Sequence, residues 1–187
     1  MESIDAGSLR FPDAAHWESW LADHHDDSAG VWLLIAKKGA EGITIGEALD
    51  VALCYGWIDS HRKGFDDQHY LQRYSPRRPK SPWSQVNVEK AEALIAAGRM
   101  RAAGLAAIRA AEADGRWAAA YQRQRDATVP ADLAAALAGD ERAQAQFELL
   151  DRTRQYALFL RLMKARTPAG RATQLDQIVA SLVQASQ

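Results

Sequence analysis

The stretch GWIDSHRKGFDDQHYLQRYSP, residues 56–76, differs in composition from the remainder of this 187-residue chain. It sets aromatic, cationic and acidic side chains in short alternating runs, whereas most other segments are rich in alanine. Such alternation, interrupted by turn-forming residues, is typical of two strands joined in a hairpin. We therefore predict strands at Trp57–Phe65 and His69–Ser75, with Asp66-Asp67 as the turn between them.

The sequence before the hairpin predicts two helices and a third strand, after a loose lead-in over residues 1–12. Asp13 is placed to cap a first helix. The apolar run VWLLIAKK, residues 31–38, is typical of a buried strand. Thr44 and Glu47 have the spacing of a capping box, so a second helix begins there and ends at Gly56.

Helical patterns dominate the sequence after the hairpin. Prolines at positions 76, 79 and 82 predict an extended linker, because each disfavours helix at the residue before it. Ser84, Asp140 and Thr167 are placed to cap later helices. Apolar residues with helical spacing mark the last two helices: Tyr156, Phe159, Leu160 and Met163, then Leu175, Ile178, Val179 and Leu182.

These elements predict an α+β fold that is mostly helical. A small antiparallel sheet of about three strands packs against helices, and a helical C-terminal part follows. We expect an α+β core domain at residues 1–115, with the hairpin at 57–75, and a helical region at 116–187 packed on it or appended to it.

Composition excludes several classes of protein. The formal net charge is −1, so no overall charge draws the chain to nucleic acid or to a membrane. Cys54 is the single cysteine, which rules out an intramolecular disulfide. No apolar run approaches membrane-spanning length, and the first residues lack the apolar core of a signal peptide. We expect a cytoplasmic protein without membrane insertion.

A two-residue turn fixes which hairpin residues face each other. In that register three cross-strand pairs share one face with Trp57: Asp59 with Tyr74, His61 with Gln72, and Lys63 with Tyr70. Asp59 and His61 are then candidates for acid–base catalysis, because same-face neighbours reach a common substrate. The alternative is an aspartate bonded to the backbone or to Tyr74, with His61 a surface residue. A three-residue turn would break the pairing.

The basic segment after the hairpin predicts an anion site. Arginine forks suit phosphate and carboxylate, the helix start at Ser84 adds backbone N–H groups, and Trp83 offers a stacking surface. The alternative is a solvated basic loop braced by prolines, with Trp83 in the core. The candidate ligand-binding residues are Arg62, Gln72, Arg73, Tyr74, Arg77, Arg78, Trp83, Ser84 and Asn87.

No metal or cofactor site is predicted. The run His24-His25-Asp26-Asp27 has the right atom types, but adjacent side chains diverge, and no second pair follows at a metal-site spacing. Glycine loops with phosphate-binding spacing are also missing from the sequence.

The stretches at residues 48–100, 103–121 and 129–137 resemble the bacterial YdeI or OmpD-associated family of bacteriocin-protection proteins, and the resemblance extends over nearly the full chain. Its most specific runs are at residues 56–59, 71–79 and 83–87. That family has no settled activity, and its name implies a stress, envelope or antimicrobial-protection role. The family motif falls here on Trp57, Asp59, Arg73, Pro76, Arg77, Trp83, Ser84 and Asn87. Pro82 and Val88 replace residues that are basic or polar in the family pattern.

Three functions are compatible with these residues. The first is a non-enzymatic module that binds a small anionic or polar ligand in a protective role. The second is an enzyme that uses Asp59 and His61 on a small anionic substrate. The third is a scaffold whose C-terminal helices bind a protein partner. Binding of double-stranded nucleic acid is not expected.

Overall fold

The computed structural model of the chain describes residues 2–3, 8–27, 29–165 and 167–185. The chain divides into two compact units. The first comprises Met1–Ser81 and Asn87–Trp117, and the second comprises Pro82–Val86 and Ala118–Gln187.

The first unit contains a five-stranded mixed sheet. Its strands are β1 (Glu2–Ser3), β2 (Ser8–Arg10), β3 (Val31–Ala36), β4 (Trp57–Gly64) and β5 (His69–Pro76). The order across the sheet is β1-β2-β3-β5-β4, with β2 and β3 parallel and the other neighbours antiparallel. The central strand β3 is buried along most of its length.

The α+β class is confirmed, and so are the three predicted strands, but the sheet is larger than predicted and is not wholly antiparallel. The sequence predicts a loose lead-in for residues 1–12, yet this segment supplies β1 and β2. Strands of two and three residues are too short to show a period-2 pattern. They exist because β2 finds hydrogen-bonding partners on the edge of β3, a contact between distant parts of the sequence.

Three of the four helices of this unit begin directly after a predicted cap residue, and the last begins after Arg101, for which no cap was predicted. They are α1 (Ala14–His24), α2 (Ile45–Cys54), α3 (Gln85–Ala96) and α4 (Ala102–Ala113). The Asp13 carboxylate accepts a hydrogen bond from the backbone N–H of His16 at 3.0 Å. Thr44 and Glu47 form the predicted capping box at the start of α2.

Trp17 of α1 packs on the face of the sheet that carries Tyr74. Its side chain is fully buried, and its ring centroid lies 5.9 Å from that of Tyr74 and 6.2 Å from that of Trp57. Its indole N–H donates to the carbonyl of Ala48 in α2 at 3.1 Å. We call this face, with Tyr70, Gln72 and Tyr74 of β5, the Tyr74 face.

Gly104 lets α4 approach the end of α2 closely. A Cβ atom at this position would lie 2.3 Å from the carbonyl oxygen of Cys54. The same oxygen accepts a hydrogen bond from the N–H of Arg101 at 3.1 Å, so it cannot move away without cost. A glycine is required here because the backbone of the neighbouring helix occupies the space of a side chain.

We expect Gly104→Ala to lower the free energy of unfolding by about 1–3 kcal/mol, because the added methyl group overpacks the contact. The matched control is Gly46→Ala in α2, where a Cβ atom would meet no other atom within 4 Å. Alanine is the better helix former, so this control should gain up to about 1 kcal/mol. Urea unfolding of both variants measures the two effects. Equal shifts of the same sign would contradict the close contact at Gly104.

The second unit is a bundle of four helices, α5 (Ala131–Ala138), α6 (Glu141–Leu149), α7 (Arg152–Met163) and α8 (Pro168–Gln184). Asp140 and Thr167 cap α6 and α8 as predicted. The core contains buried side chains from each helix: Leu133, Leu137, Ala143, Phe147, Phe159, Leu162, Ile178 and Leu182. No helix in the described residues is long and apolar enough to cross a membrane.

Arg171 ties three of these helices together. Its Nε and Nη2 atoms donate to the two carboxylate oxygens of Asp132 at 2.7 and 2.9 Å, and its Nη1 donates to the carbonyl of Leu162 at 2.8 Å. A bidentate pair of this kind fixes geometry as well as charge. The guanidinium holds the pKa of Asp132 below its ordinary value of 3.8.

This lowered pKa gives the stability of the second unit a defined pH dependence. Because the folded state holds the Asp132 proton less tightly than the unfolded state, the pair stabilises the fold above pH 3.8 and loses this effect as the pH falls further. We expect Asp132→Asn to be less stable than the wild type at pH 7. The difference in unfolding free energy should shrink below pH 3.8. A pH-independent difference would show that lost packing, and not charge, causes the effect.

Candidate functional site

A β-bulge in β4 decides which side chains gather on the Tyr74 face. Asp59 pairs with Tyr74 and Arg62 pairs with Gln72, so the register shifts by one residue between them. Ser60 and His61 together stand opposite the single residue Arg73. An extra residue of this kind bends the strand and redirects the side chains beyond it.

The predicted register is therefore correct at one end of the hairpin and wrong at the other. The pair Asp59–Tyr74 is as predicted. The predicted partners of Gln72 and Tyr70 were His61 and Lys63, but these positions are taken by Arg62 and Gly64. The bulge is the physical reason, since one added residue moves the side chains between it and the turn to the other face.

The turn is also longer than predicted. The strands end at Gly64 and begin again at His69, so four residues connect them. The Asp66 carboxylate accepts hydrogen bonds from the backbone N–H groups of Gln68 at 2.7 Å and of His69 at 2.6 Å. Asp66 thus supplies the turn chemistry that its position predicted, but within a wider loop.

Gln72 secures the bulge from within the sheet. Its side chain is buried, its Nε2 donates to the carbonyl of His61 at 3.2 Å, and its Oε1 accepts from Nε of Arg62 at 3.1 Å. The Arg62 guanidinium also lies over the ring of Tyr70, 4.3 Å from its centroid. The hydrogen bond from Gln72 satisfies the His61 carbonyl in the bulge. The contacts of Arg62 with Gln72 and Tyr70 hold its guanidinium on the Tyr74 face.

Asp59 and Tyr74 face each other at the more buried end of this surface. Burial raises the pKa of Asp59 above its ordinary value of 3.8. A hydrogen bond from its own backbone and the positive charges of Arg62 and Arg77 oppose this only in part. Burial also raises the pKa of Tyr74, and the charge of Asp59 raises it further. The Tyr74 side chain is fully buried, and its hydroxyl has no hydrogen-bond partner among the described residues. Such a group costs free energy unless something binds it.

Of the other predicted site residues, only Arg77 lies close enough to this cluster to act on the charge of Asp59. Arg73 points to the opposite face, where its Nη2 donates to the carbonyl of Ala29. His61 is exposed within the bulge, and Arg78 is exposed on the loop after β5. Arg77 is held near the sheet by its backbone N–H, which donates to the carbonyl of Gly56 at 3.0 Å. Asn87 is half-buried near the start of α3.

Trp83 and Ser84 lie in the second unit, where they form a short extended contact with Tyr121. Ser84 and Tyr121 make a parallel bridge, and the N–H of Tyr121 donates to the carbonyl of Trp83 at 3.0 Å. Trp83 is 2 % exposed. Its ring is therefore not an open stacking surface, which agrees with the alternative that it belongs to a core.

The remaining candidates carry no chemistry that the geometry supports. Among the described residues no group of histidine, cysteine and carboxylate side chains is arranged to hold a metal ion. His24 stacks on Trp20, with 4.2 Å between the ring centroids. Cys54 is buried, and burial raises the pKa of its thiol.

Tyr70 is a member of the cluster that the ligand-binding prediction did not include. The predicted register pairs it with Lys63 and gives no reason to place a guanidinium over its ring. Tyr70 belongs to the cluster because the Arg62 guanidinium lies over its ring, and the direction of the Arg62 side chain depends on the bulge.

The raised pKa of Asp59 predicts a pH dependence opposite to that of Asp132. Because the folded state holds this proton more tightly than the unfolded state, ionised Asp59 lowers stability above pH 3.8. We expect Asp59→Asn to be more stable than the wild type at pH 7, with a difference that disappears as the pH falls below 3.8. Thermal unfolding from about pH 3 to pH 8 tests this. A variant that is less stable at pH 7 would show that the carboxylate is well paired.

A family model described as a domain of unknown function, DUF8412, matches residues 9–107, which is just over half of the chain. The chain belongs to the DUF8412 family. A second model, described as Bacteriocin-protection, YdeI or OmpD-Associated, matches residues 126–185. No curated protein and no solved structure matches the chain.

These matches correct the extent of the resemblance. Similarity to the bacteriocin-protection family is confirmed over residues 126–185, but the prediction that it covers nearly the full chain is wrong. The hairpin and the segment up to Asn87, which supplied the most specific runs of the resemblance, lie in the DUF8412 region, whereas residues 129–137 lie in the matched C-terminal region. The family name therefore attaches to the helices of the second unit and not to the Tyr74 face.

Proposed function

We propose that the DUF8412 region binds a small ligand with an anionic group and a hydrogen-bonding group on the Tyr74 face. The observation that carries this proposal is the fully buried Tyr74 hydroxyl, which has no partner among the described residues, on a residue that pairs with Asp59 across the strands. Folding normally avoids an unpaired buried hydroxyl, because its desolvation is not compensated. A ligand polar atom at this point would compensate it.

The neighbouring charges define the chemistry of that ligand. Arg62 and Arg77 act electrostatically on Asp59, so positive charge lies close to the cluster. Arginine binds carboxylate and phosphate through its fixed fork of N–H donors. Asp59, with its raised pKa, can keep a proton at a higher pH than an ordinary aspartate and so donate to a ligand oxygen. The surface thus suits a carboxylate or phosphate that carries a nearby hydroxyl or carbonyl.

Binding is the better proposal than catalysis by Asp59 and His61. The two residues are separated by the register shift, and His61 has no ladder position on the Tyr74 face. An acid–base pair must reach one substrate, and this placement does not favour it. The stress or antimicrobial-protection role stays a proposal supported by the description of the family matched at residues 126–185.

The Tyr74→Phe variant separates a ligand-binding role from a structural one. Removing an unpaired buried hydroxyl should stabilise the ligand-free protein by about 1 kcal/mol, because its desolvation cost disappears. The same variant should bind ligand more weakly. Thermal unfolding and calorimetry, with inorganic phosphate, citrate and glycerol phosphate as probes, measure the two effects.

Two arginine variants complete this experiment. Arg62→Ala should weaken binding of the same probes at least about 10-fold, since it removes a charged hydrogen bond worth about 1.5–3 kcal/mol. Arg109→Ala removes one exposed charge from α4 and serves as the matched control. A stabilised Tyr74→Phe protein that binds each probe as the wild type does would exclude the proposed site. So would equal losses in the Arg62 and Arg109 variants.

A further inference from the structure

The opposite face of the sheet carries a second set of aromatic and basic side chains, which we call the Trp32 face. Trp32 of β3 pairs directly with Arg73 of β5, and Leu71 of β5 pairs with Lys63 of β4. Paired residues point to the same side of a sheet. Trp32, Leu71 and Arg73 are half-buried, and Lys63 is exposed.

Lys63 reaches across the sheet to Trp32. Its Nζ lies 4.4 Å from the centroid of the indole ring, although β5 separates β4 from β3. Two strand spacings amount to about 10 Å, so the lysine side chain runs over β5 to make this contact. The stem therefore lies over β5 on this face.

Cationic residues occupy this face on three of the five strands. Arg10, Lys63 and Arg73 occupy its positions on β2, β4 and β5. By strand alternation, no aspartate or glutamate occupies a position of this face on the described strands β2–β5. On β1, however, Glu2 pairs with Arg10, so the cations of this face without an acidic residue paired opposite them are Lys63 and Arg73. The chain as a whole is close to neutral, so this is a local basic surface and not a consequence of composition.

We propose that the Trp32 face binds single-stranded nucleic acid. A nucleobase would stack on the indole of Trp32, and the phosphates on either side of it would contact Lys63 and Arg73. Aromatic side chains on a sheet surface, flanked by cations, bind unpaired bases in this way because every base has a π-face. This site is separate from the proposed ligand site, which lies on the other side of the sheet.

The shape of the surface favours a strand over a free nucleotide. Because Lys63 is exposed and Trp32 is half-buried, we expect this face to cover only one side of a small ligand, whereas tight small-molecule sites bury most of their ligand. A strand gains affinity by adding contacts along its backbone. Duplex binds less well, because its bases are stacked on one another and unavailable to Trp32.

Lys63 is the residue whose role changes on binding. In the free protein its ammonium lies over the ring of Trp32, which is where a base would stack. We expect the Lys63 ammonium to leave the Trp32 ring and contact a phosphate, so that an ion pair with the phosphate replaces the cation–π contact. Its position at the exposed edge of the sheet permits this movement.

Fluorescence anisotropy with a labelled oligo(U) or oligo(dT) of about 12 nucleotides tests the proposal, over a series of salt concentrations. Trp32→Leu keeps an apolar side chain but removes the stacking surface, and it should weaken binding about 5-fold to 150-fold. Lys63→Gln should reduce the slope of log affinity against log salt by about 0.7, the value for one phosphate contact on a single strand. Arg109→Gln is the matched control and should leave binding unchanged.

Several outcomes would overturn the proposal. They are no binding at low salt, equal losses in the Lys63 and Arg109 variants, equal affinity for a duplex of the same sequence, or a mononucleotide that binds as tightly as the oligonucleotide. If Trp32→Leu unfolds, the exposed Lys63→Gln variant decides the result through the salt slope alone. Unchanged binding of oligonucleotide by Tyr74→Phe distinguishes this site from the one on the opposite face.

Discussion

The burial of Trp17 organises the first unit. Its indole ring packs against Phe11, Trp57 and Tyr74, at centroid distances of 5.3, 6.2 and 5.9 Å. Its N–H donates to the Ala48 carbonyl, so a large apolar side chain is buried without leaving its one polar group unpaired. Through these contacts α1 and α2 are held on the Tyr74 face, which makes the two faces of the sheet chemically different.

One added residue in β4 then distributes the side chains between those faces. Without the bulge, His61 would oppose Gln72, but with it Arg62 does so and Lys63 turns to the Trp32 face. Gln72 stabilises this arrangement, because its buried amide bonds both the His61 carbonyl and Arg62. Both proposed binding surfaces therefore depend on a single irregularity and on the amide that satisfies it.

Two carboxylates show how the local environment sets the direction of a pKa shift. Asp132 is held by the two hydrogen bonds of the Arg171 fork, and its pKa is lowered. For Asp59, the cost of burying the charged carboxylate exceeds the stabilisation from its hydrogen bond and from the nearby positive charges, so its pKa is raised. The first arrangement stabilises the fold at neutral pH, whereas the second destabilises it. The proposed binding site rests on this destabilising carboxylate and on the hydroxyl of Tyr74, which has no hydrogen-bond partner among the described residues.

Local signals in the sequence determined four of the helix starts and the three longer strands. The caps at Asp13, Thr44, Asp140 and Thr167 need only residues three positions away or fewer, and β3, β4 and β5 carry their own apolar or alternating patterns. The hairpin pattern also predicted the pairing of Asp59 with Tyr74 correctly. The wider loop shifts the register by one residue and the bulge shifts it back, so the two errors cancel at the end of the hairpin far from the turn. Tertiary structure alone decided the pairing of β2 with β3, the bulge, and hence the partners of Arg62 and Lys63. Each of these depends on hydrogen bonds or ring contacts between strands, for which no short sequence pattern exists.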